Sequence, residues 1–419
     1  MIVDPPRPDR GIGIWQGVAL YVCAILGAGV LVLPGQVASL AGPASLLAWT
    51  FTILLSVPLA FTFARLAVTY PDAGGVATFA RHAFGESTGG IAGWWYFIAG
   101  SVGQAIVPLT AGYYVSDALG VSQRLAPAFA AAILGIAVLT TLRGLRFGGA
   151  VQVGLAAGVA AVLVVAIAAA VPAIRWDAFT PFAPHGIAGV GVAVVVLFYA
   201  FSGWEAIAHL AGDFRDVRRD LPRATLLTLF IVAVLYLGVA FAVVGTRSYG
   251  STELDNVALA RVVGSELGVS PAIVVAVAAS VICLATTNAF LASVSRLGYA
   301  LGRDGWAPRR LAMLNRHHAP VMSVVAVAAI GGSGLVGSAL FGWGTSDLVY
   351  IPSTLVLTTY LVAAAAGVKL LSGKQRLLPG AALVMIAVFT PSAGWYLSIP
   401  LGVAAAVLLL KRFRTSDRS

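Results

Sequence analysis

Apolar residues in this chain run in blocks far longer than a soluble helix or strand requires, parted by short polar stretches. A helix rises about 1.5 Å per residue, so about 20 apolar residues cross the hydrocarbon core of a bilayer. Blocks near or above that length lie at 13–38, 43–68, 89–117, 125–142, 149–172, 186–211, 223–245, 270–300, 320–341, 347–370, 376–392 and 394–411. The pattern predicts an all-α polytopic membrane protein with twelve transmembrane helices, the last two being the least distinct. Between the blocks, Tyr70-Pro71-Asp72-Ala73-Gly74-Gly75 is turn chemistry, and 77–84 predicts a short amphipathic interfacial helix. Residues 213–224 form a dense mixed-charge loop, open to two readings: a solvated loop, or an inner gate whose salt bridges change between states. The polar stretch 247–270 is long enough for one surface helix over the outer entrance.

Two blocks are interrupted. The first carries Cys23-Ala24-Ile25-Leu26-Gly27-Ala28-Gly29, with Pro34 beyond it, and the sixth carries Phe198-Tyr199-Ala200-Phe201-Ser202-Gly203-Trp204-Glu205. Glycine and proline weaken a helix, and in hydrocarbon the freed N–H and C=O groups need other partners. Small-residue interruptions at corresponding places in two halves point to a transporter's substrate site. The alternative for Gly27 and Gly29 alone is that they let two helices pack closely.

Composition sharpens this picture. The 419 residues are 59% hydrophobic and only 10% charged, too little charge for a soluble surface of this size. Residues 1–12 read as a cytosolic tail without a signal-peptide cleavage site, and 412–419 as a second. With the N-terminus inside, 22 of the 26 Lys and Arg residues fall on the inner side and 4 on the outer. That asymmetry places the protein in the cytoplasmic membrane with both termini cytosolic, and it explains the net charge of +10 without nucleic acid. Cys23 and Cys283 both fall inside spans, so neither a disulfide framework nor a metal site is expected.

The interrupted first span, Tyr70-Pro71-Asp72-Ala73-Gly74-Gly75, Phe201-Ser202-Gly203-Trp204-Glu205 and Leu221-Pro222-Arg223-Ala224 together resemble the amino acid–polyamine–organocation (APC) superfamily. Within it the chain looks most like the bacterial amino-acid efflux branch. The resemblance implies a LeuT-like core of two inverted five-helix repeats, 13–172 and 186–370, in which helices 1 and 6 are broken, and two peripheral helices at 376–411. It also implies that a substrate carboxylate meets free amides near Leu26, Gly27, Ala28 and Gly29. The ammonium would meet carbonyls near Cys23, Ala24 and Ile25 and, in the second break, Tyr199, Ala200 and Ser202, beside Phe201 and Gly203. Elementary physics agrees, since a half-helix N-terminus attracts an anion and exposed carbonyls suit a cation. Two departures stand out: Ala28 replaces the family's serine between the glycines, and 150–171 holds no lysine of the kind some proton-coupled members carry.

Other polar residues inside the spans are further candidates. Glu205 is the carboxylate placed well inside a span, costly there by a few kcal/mol, and so a gate or proton-linked candidate, with His209 one turn on. Its alternative is a neutral or paired cap on the broken helix. Thr286, Thr287 and Asn288 either line a site or bond their own helix. Gln104 faces a cavity or another helix, Ser353 and Thr354 follow a kink at Pro352, and Trp94, Trp95 and Tyr96 read as an interfacial belt in preference to a gate.

These residues favour a secondary active transporter of neutral, apolar amino acids such as methionine, leucine, isoleucine or valine, working by alternating access in the export direction. Proton-coupled uptake and amino-acid exchange are the alternatives. A channel would need a continuous polar pore, and an enzyme a cluster of His, Cys or acidic residues; His317-His318 has no partners at metal spacing. No cofactor is expected beyond a proton as candidate coupling ion. The partners are a small amino acid and the lipid bilayer, and monomer and dimer stay open.

Overall fold

The computed structural model describes residues 13–70, 72, 74–143, 149–204, 214–267, 269–317 and 319–416. Within them the regular structure is helical, apart from isolated bridges such as that between Leu314 and Pro320. The first block divides into α1 (Ile14–Ile25) and α2 (Gly29–Ala41), followed by α3 (Ser45–Thr69), α4 (Val76–Phe84), α5 (Glu86–Ala118), α6 (Ala126–Leu142) and α7 (Gly149–Ala170). The chain continues through α8 (Gly186–Ala200), α9 (Val217–Gly245), the short α10 (Thr252–Asn256) and α11 (Ala258–Leu267), and α12 (Val269–Arg303). It ends with α13 (Val321–Phe341), α14 (Thr345–Leu348), α15 (Tyr350–Leu370), α16 (Leu377–Phe389) and α17 (Ser398–Ser416). Among the described residues, eight stretches are long and apolar enough to cross a membrane; two of them, Gly29–Thr69 and Gly373–Arg412, each hold two helices. Two shorter apolar helices, Ile14–Cys23 and Gly186–Ala200, lead into the breaks.

The helix α5 stands at the centre, packed against α4, α6, α12, α13 and α15. It spans 33 residues but is diluted by Gly, Ser, Thr and Gln, because protein surrounds it and close approach matters more than lipid solubility. A Cβ at Gly112 would lie 2.2 Å from the Ala126 carbonyl oxygen, and one at Gly90 would lie 2.1 Å from the Trp306 ring. The breaks face this central helix from the other side. There α1 and α3 pack on α9, and α2 packs on α8.

Several loop expectations change. The helix at 76–84 is amphipathic and lays its apolar face on protein: Val76, Phe79, Ala80 and Ala83 are buried, and α4 packs on α5 and α15. Its approach is set by Asp72, which accepts from the Gly74 amide and the Thr78 hydroxyl. Burial opposes ionisation of Asp72, yet these bonds and the charges of Arg303 and Arg81 outweigh it and hold the carboxyl below the usual carboxylate range. The outer stretch carries two helices, α10 and α11, in place of one, because Ser251 accepts from the Leu254 amide and Val257 breaks the run. Residues 217–224 are the first turns of α9 and not a loop. Asp216 accepts from the Arg219 amide at 3.1 Å, an N-cap that makes the neighbouring charges helical surface. The indoles of Trp94 and Trp95 donate to the carbonyls of Trp306 and Pro400 between helices. Pro352 lies in the first turn of α15, and the helical run is interrupted one turn before it, at Val349 between α14 and α15.

The packing of α5 gives the first prediction. Gly112→Val should lower the thermal midpoint of the detergent-solubilised protein, by overpacking of about 1–3 kcal/mol. Gly135→Ala on α6, where an added Cβ meets nothing within 4 Å, should leave the midpoint unchanged or raise it. Equal midpoints for the two variants would contradict the close α5–α6 approach.

Candidate functional site

At the first break α1 stops at Ile25, Leu26 and Gly27 bend away, and α2 starts at Gly29. The first turn of α2 leaves the amides of Gly29 and Val30 without a backbone acceptor among the described residues, while the Leu31 amide turns back to Ala28 O at 3.1 Å. At the second break α8 stops at Ala200. Phe201, Ser202 and Gly203 form turns, with Gly203 at φ +129°, a backbone state that a side chain disfavours. The Ser202 hydroxyl and amide both return to Tyr199 O, at 2.8 and 3.3 Å.

The two openings meet around one cavity of about 30 Å³, room for a water or two. Ile25, Gly27, Ala28 and Gly29 face it from the first break, and Tyr199, Ala200 and Ser202 from the second. The small residues Ala99, Gly100 and Gly103 of α5 make the floor, and Gln104, Tyr96, Thr286, Phe290 and Val356 complete the wall. Among the described residues, none that lines it carries a charge. A Cβ at Gly27 would come within 2.7 Å of the Thr286 methyl, and one at Gly29 within 3.2 Å of Ala200 Cα. Both glycines are therefore packing necessities as well as helix weakeners, and the two readings of the motif hold together.

The remaining sequence candidates separate. Cys23 and Leu26 face a different, apolar crevice between α1, α7 and α12. Ala24 closes the last turn of α1. Phe201 turns away from the cavity and packs against Trp49 and Tyr236, with ring centroids 6.1 and 5.1 Å apart. Of the three polar residues in α12, Thr286 alone lines the cavity; Thr287 is buried, and Asn288 accepts from Thr141 at 2.8 Å, tying α12 to α6. Gln104 is fully buried, and its Oε1 has no partner among the described residues, an acceptor held at the cavity wall. Glu205 and His209 lie outside the described residues.

The sequence reading missed the tyrosines that bond the carbonyls at the breaks, and it named Ser353 without this partner. Tyr236, on α9, places its hydroxyl 2.7 Å from Ile25 O and 3.1 Å from Ala200 O, the last carbonyls of both broken helices. Tyr360 donates to Phe201 O at 3.3 Å, Ser353 to Val196 O at 3.0 Å and Tyr114 to Leu31 O at 2.8 Å. A tyrosine within an apolar run carries no sign of this work; only its phase relative to a break could have marked it.

At the end of the bundle away from the start of α1, a polar lattice joins α2, α10 and α14. Gln36 donates to the Thr345 hydroxyl at 2.8 Å, which donates to Asn256 Oδ1 at 3.2 Å, and Ser39 donates to Asp255 at 2.8 Å. Burial raises the Asp255 carboxyl, partly offset by Ser39 and the Gly250 amide. At the opposite end Arg81 of α4 pairs with Asp304 after α12, at 3.2 Å.

Removing the hydroxyl that serves both breaks should be felt. Tyr236→Phe leaves buried carbonyls under-bonded and should destabilise the protein by about 1–3 kcal/mol. A thermal midpoint indistinguishable from that of the parent would contradict its bridging role.

Comparison with known proteins agrees with this architecture. A family model described as amino acid permease matches residues 12–413. An uncharacterised amino acid permease of Bacillus subtilis, YecA, is 34% identical over 405 residues, covering 96% of this chain and 95% of its own. The L-methionine/branched-chain amino acid exporter YjeH of Escherichia coli is 30% identical over 423 residues, covering 97% of both chains. The branched-chain amino acid permease BcaP of Lactococcus lactis is 28% identical, covering 75% of this chain and 72% of its own. The chain belongs to the amino acid permease family of the APC superfamily.

Proposed function

We propose that this protein carries neutral, apolar amino acids such as methionine, leucine, isoleucine and valine across the cytoplasmic membrane by alternating access, in the export direction. The observation that carries the reading is the meeting of two helix breaks around one cavity whose described lining residues are all uncharged. Free amides at the start of α2 suit a carboxylate, and carbonyls at the ends of α1 and α8 suit an ammonium, so a zwitterion needs no ionised side chain. The apolar wall of Phe290, Val107 and Val356 then suits an aliphatic or thioether side chain. Similarity to the exporter YjeH and the efflux-branch resemblance support export; amino-acid exchange and proton-coupled uptake use the same site with a different driving gradient.

In this reading α1–α7 and α8–α15 form two inverted repeats, with α16 and α17 at the periphery, twelve membrane-crossing segments and both termini cytosolic. The polar lattice of Gln36, Thr345, Asn256 and Asp255 is then the closed outer gate, and a cavity of about 30 Å³ must widen to admit a substrate.

Counterflow in proteoliposomes tests the substrate. Leucine and methionine should exchange, and lysine and glutamate should compete about a hundredfold less well, as burial of an unpaired charge in the membrane requires. Gly29→Val should abolish exchange in folded protein, since its Cβ would press on Ala200. Strong competition by arginine or aspartate, or unchanged exchange in Gly29→Val, would overturn the site.

Coupling is a separate expectation. Glu205 follows the second break and is the sequence's best candidate for a proton-linked gate, since α7 offers no lysine. Glu205→Gln, a mimic of the protonated acid, should keep substrate binding and flatten the pH dependence of transport, read at matched protein levels. A parental pH profile in that variant would remove Glu205 from the coupling.

A further inference from the structure

A second space lies directly behind the first break. It is an apolar crevice of about 220 Å³ between α1, α7 and α12, walled by Val22, Cys23 and Leu26 on one side and Gly154 and Gly158 on another. Two residues line both this crevice and the central cavity: Gly27 and Thr286. A Cβ at Gly27 would lie 2.7 Å from Thr286 Cγ2 and 3.2 Å from its Oγ1, so the wall between the spaces is one glycine backbone and one threonine side chain thick. Across the crevice, a Cβ at Gly154 or Gly158 would meet nothing within 4 Å. Among the described residues, the larger volume is therefore separated from the smaller by the Gly27 backbone and the Thr286 side chain alone.

We infer that Thr286 is a partition that sets the upper size limit of the transported side chain by keeping the α1–α7–α12 crevice out of the substrate cavity. The inference rests on the amino-acid reading of the site. Its physical content is volume: a cavity of about 30 Å³ can swell modestly as helices move, whereas opening into about 220 Å³ more of apolar space would admit an aromatic ring. The chemistry of the crevice decides which substrates gain. Its walls are aliphatic apart from Cys23 and Thr286, so phenylalanine gains and a charged or amide side chain does not.

The test is leucine counterflow in proteoliposomes containing the full-length chain, with phenylalanine as competitor. Thr286→Ala removes the partition and should improve competition by phenylalanine about tenfold over the parent, the scale of a changed apolar fit. Thr286→Ser removes only the methyl group that faces Gly27 and should give a smaller gain; it also carries the test if the alanine variant folds poorly. Gly158→Leu fills the crevice from its far wall. Added to Thr286→Ala it should restore the exclusion of phenylalanine, and alone it should leave leucine exchange at the parental level. Parental discrimination in both Thr286 variants would overturn the partition, as would failure of Gly158→Leu to restore it. If the parent exchanges no leucine or methionine, the substrate reading falls and the partition with it. Leucine exchange with unaltered phenylalanine exclusion removes the partition alone.

Discussion

Backbone groups freed inside a membrane must find partners, and this fold meets that demand at its two weakest points with one hydroxyl. Tyr236 reaches Ile25 O and Ala200 O together, so the ends of α1 and α8 are tied to the same residue of α9 and to each other. Trp49, with its ring centroid 4.8 Å from that of Tyr236, and Phe201 at 5.1 Å hold the phenol in place. Tyr360, Ser353 and Tyr114 support neighbouring carbonyls in the same way. The amides at the start of α2 are left over. An unpaired donor in such a place invites an anion, so satisfaction of the carbonyls from behind and exposure of the amides in front together make the site.

Much of this was legible in the residues. The long helices follow from apolar block length, and most of their observed ends lie within a few residues of the expected ones; α9 starts earlier, at Val217, and the expected end of the sixth span at 211 lies outside the described residues. The first break was visible because Gly27 and Gly29 interrupt an apolar run, and the second because Ser202-Gly203 does. What was not legible depends on phase. Successive helical residues point about 100° apart, so Thr286 faces the cavity while Asn288 ties α12 to α6, and nothing in Thr286-Thr287-Asn288 itself says which does which. The residues of the Trp94-Trp95 pair likewise gave no sign that their indole donors satisfy carbonyls of Trp306 and Pro400 between helices. The mixed charges of 213–224 concealed a helix start, although Asp216 three residues before Arg219 was a cap signal.

The same economy explains the composition of the cavity wall. Small residues on α5 make room, Gly27 and Gly29 permit contact at Thr286 and Ala200, and the surrounding side chains contribute shape in place of charge. Selectivity in such a site comes from volume and from the penalty on unpaired charge. The polar lattice around Thr345 and the pair of Arg81 with Asp304 mark the two ends between which the cavity lies.

The central claim is that backbone groups at the two breaks hold a zwitterion. The most direct measurement is a structure of the protein with methionine bound. The account predicts the carboxylate at about 2.7–3.2 Å from the amides of Gly29 and Val30, with the ammonium against the carbonyls of Ile25 and Ala200. Methionine held away from the breaks, or gripped by an ionised side chain, would contradict it.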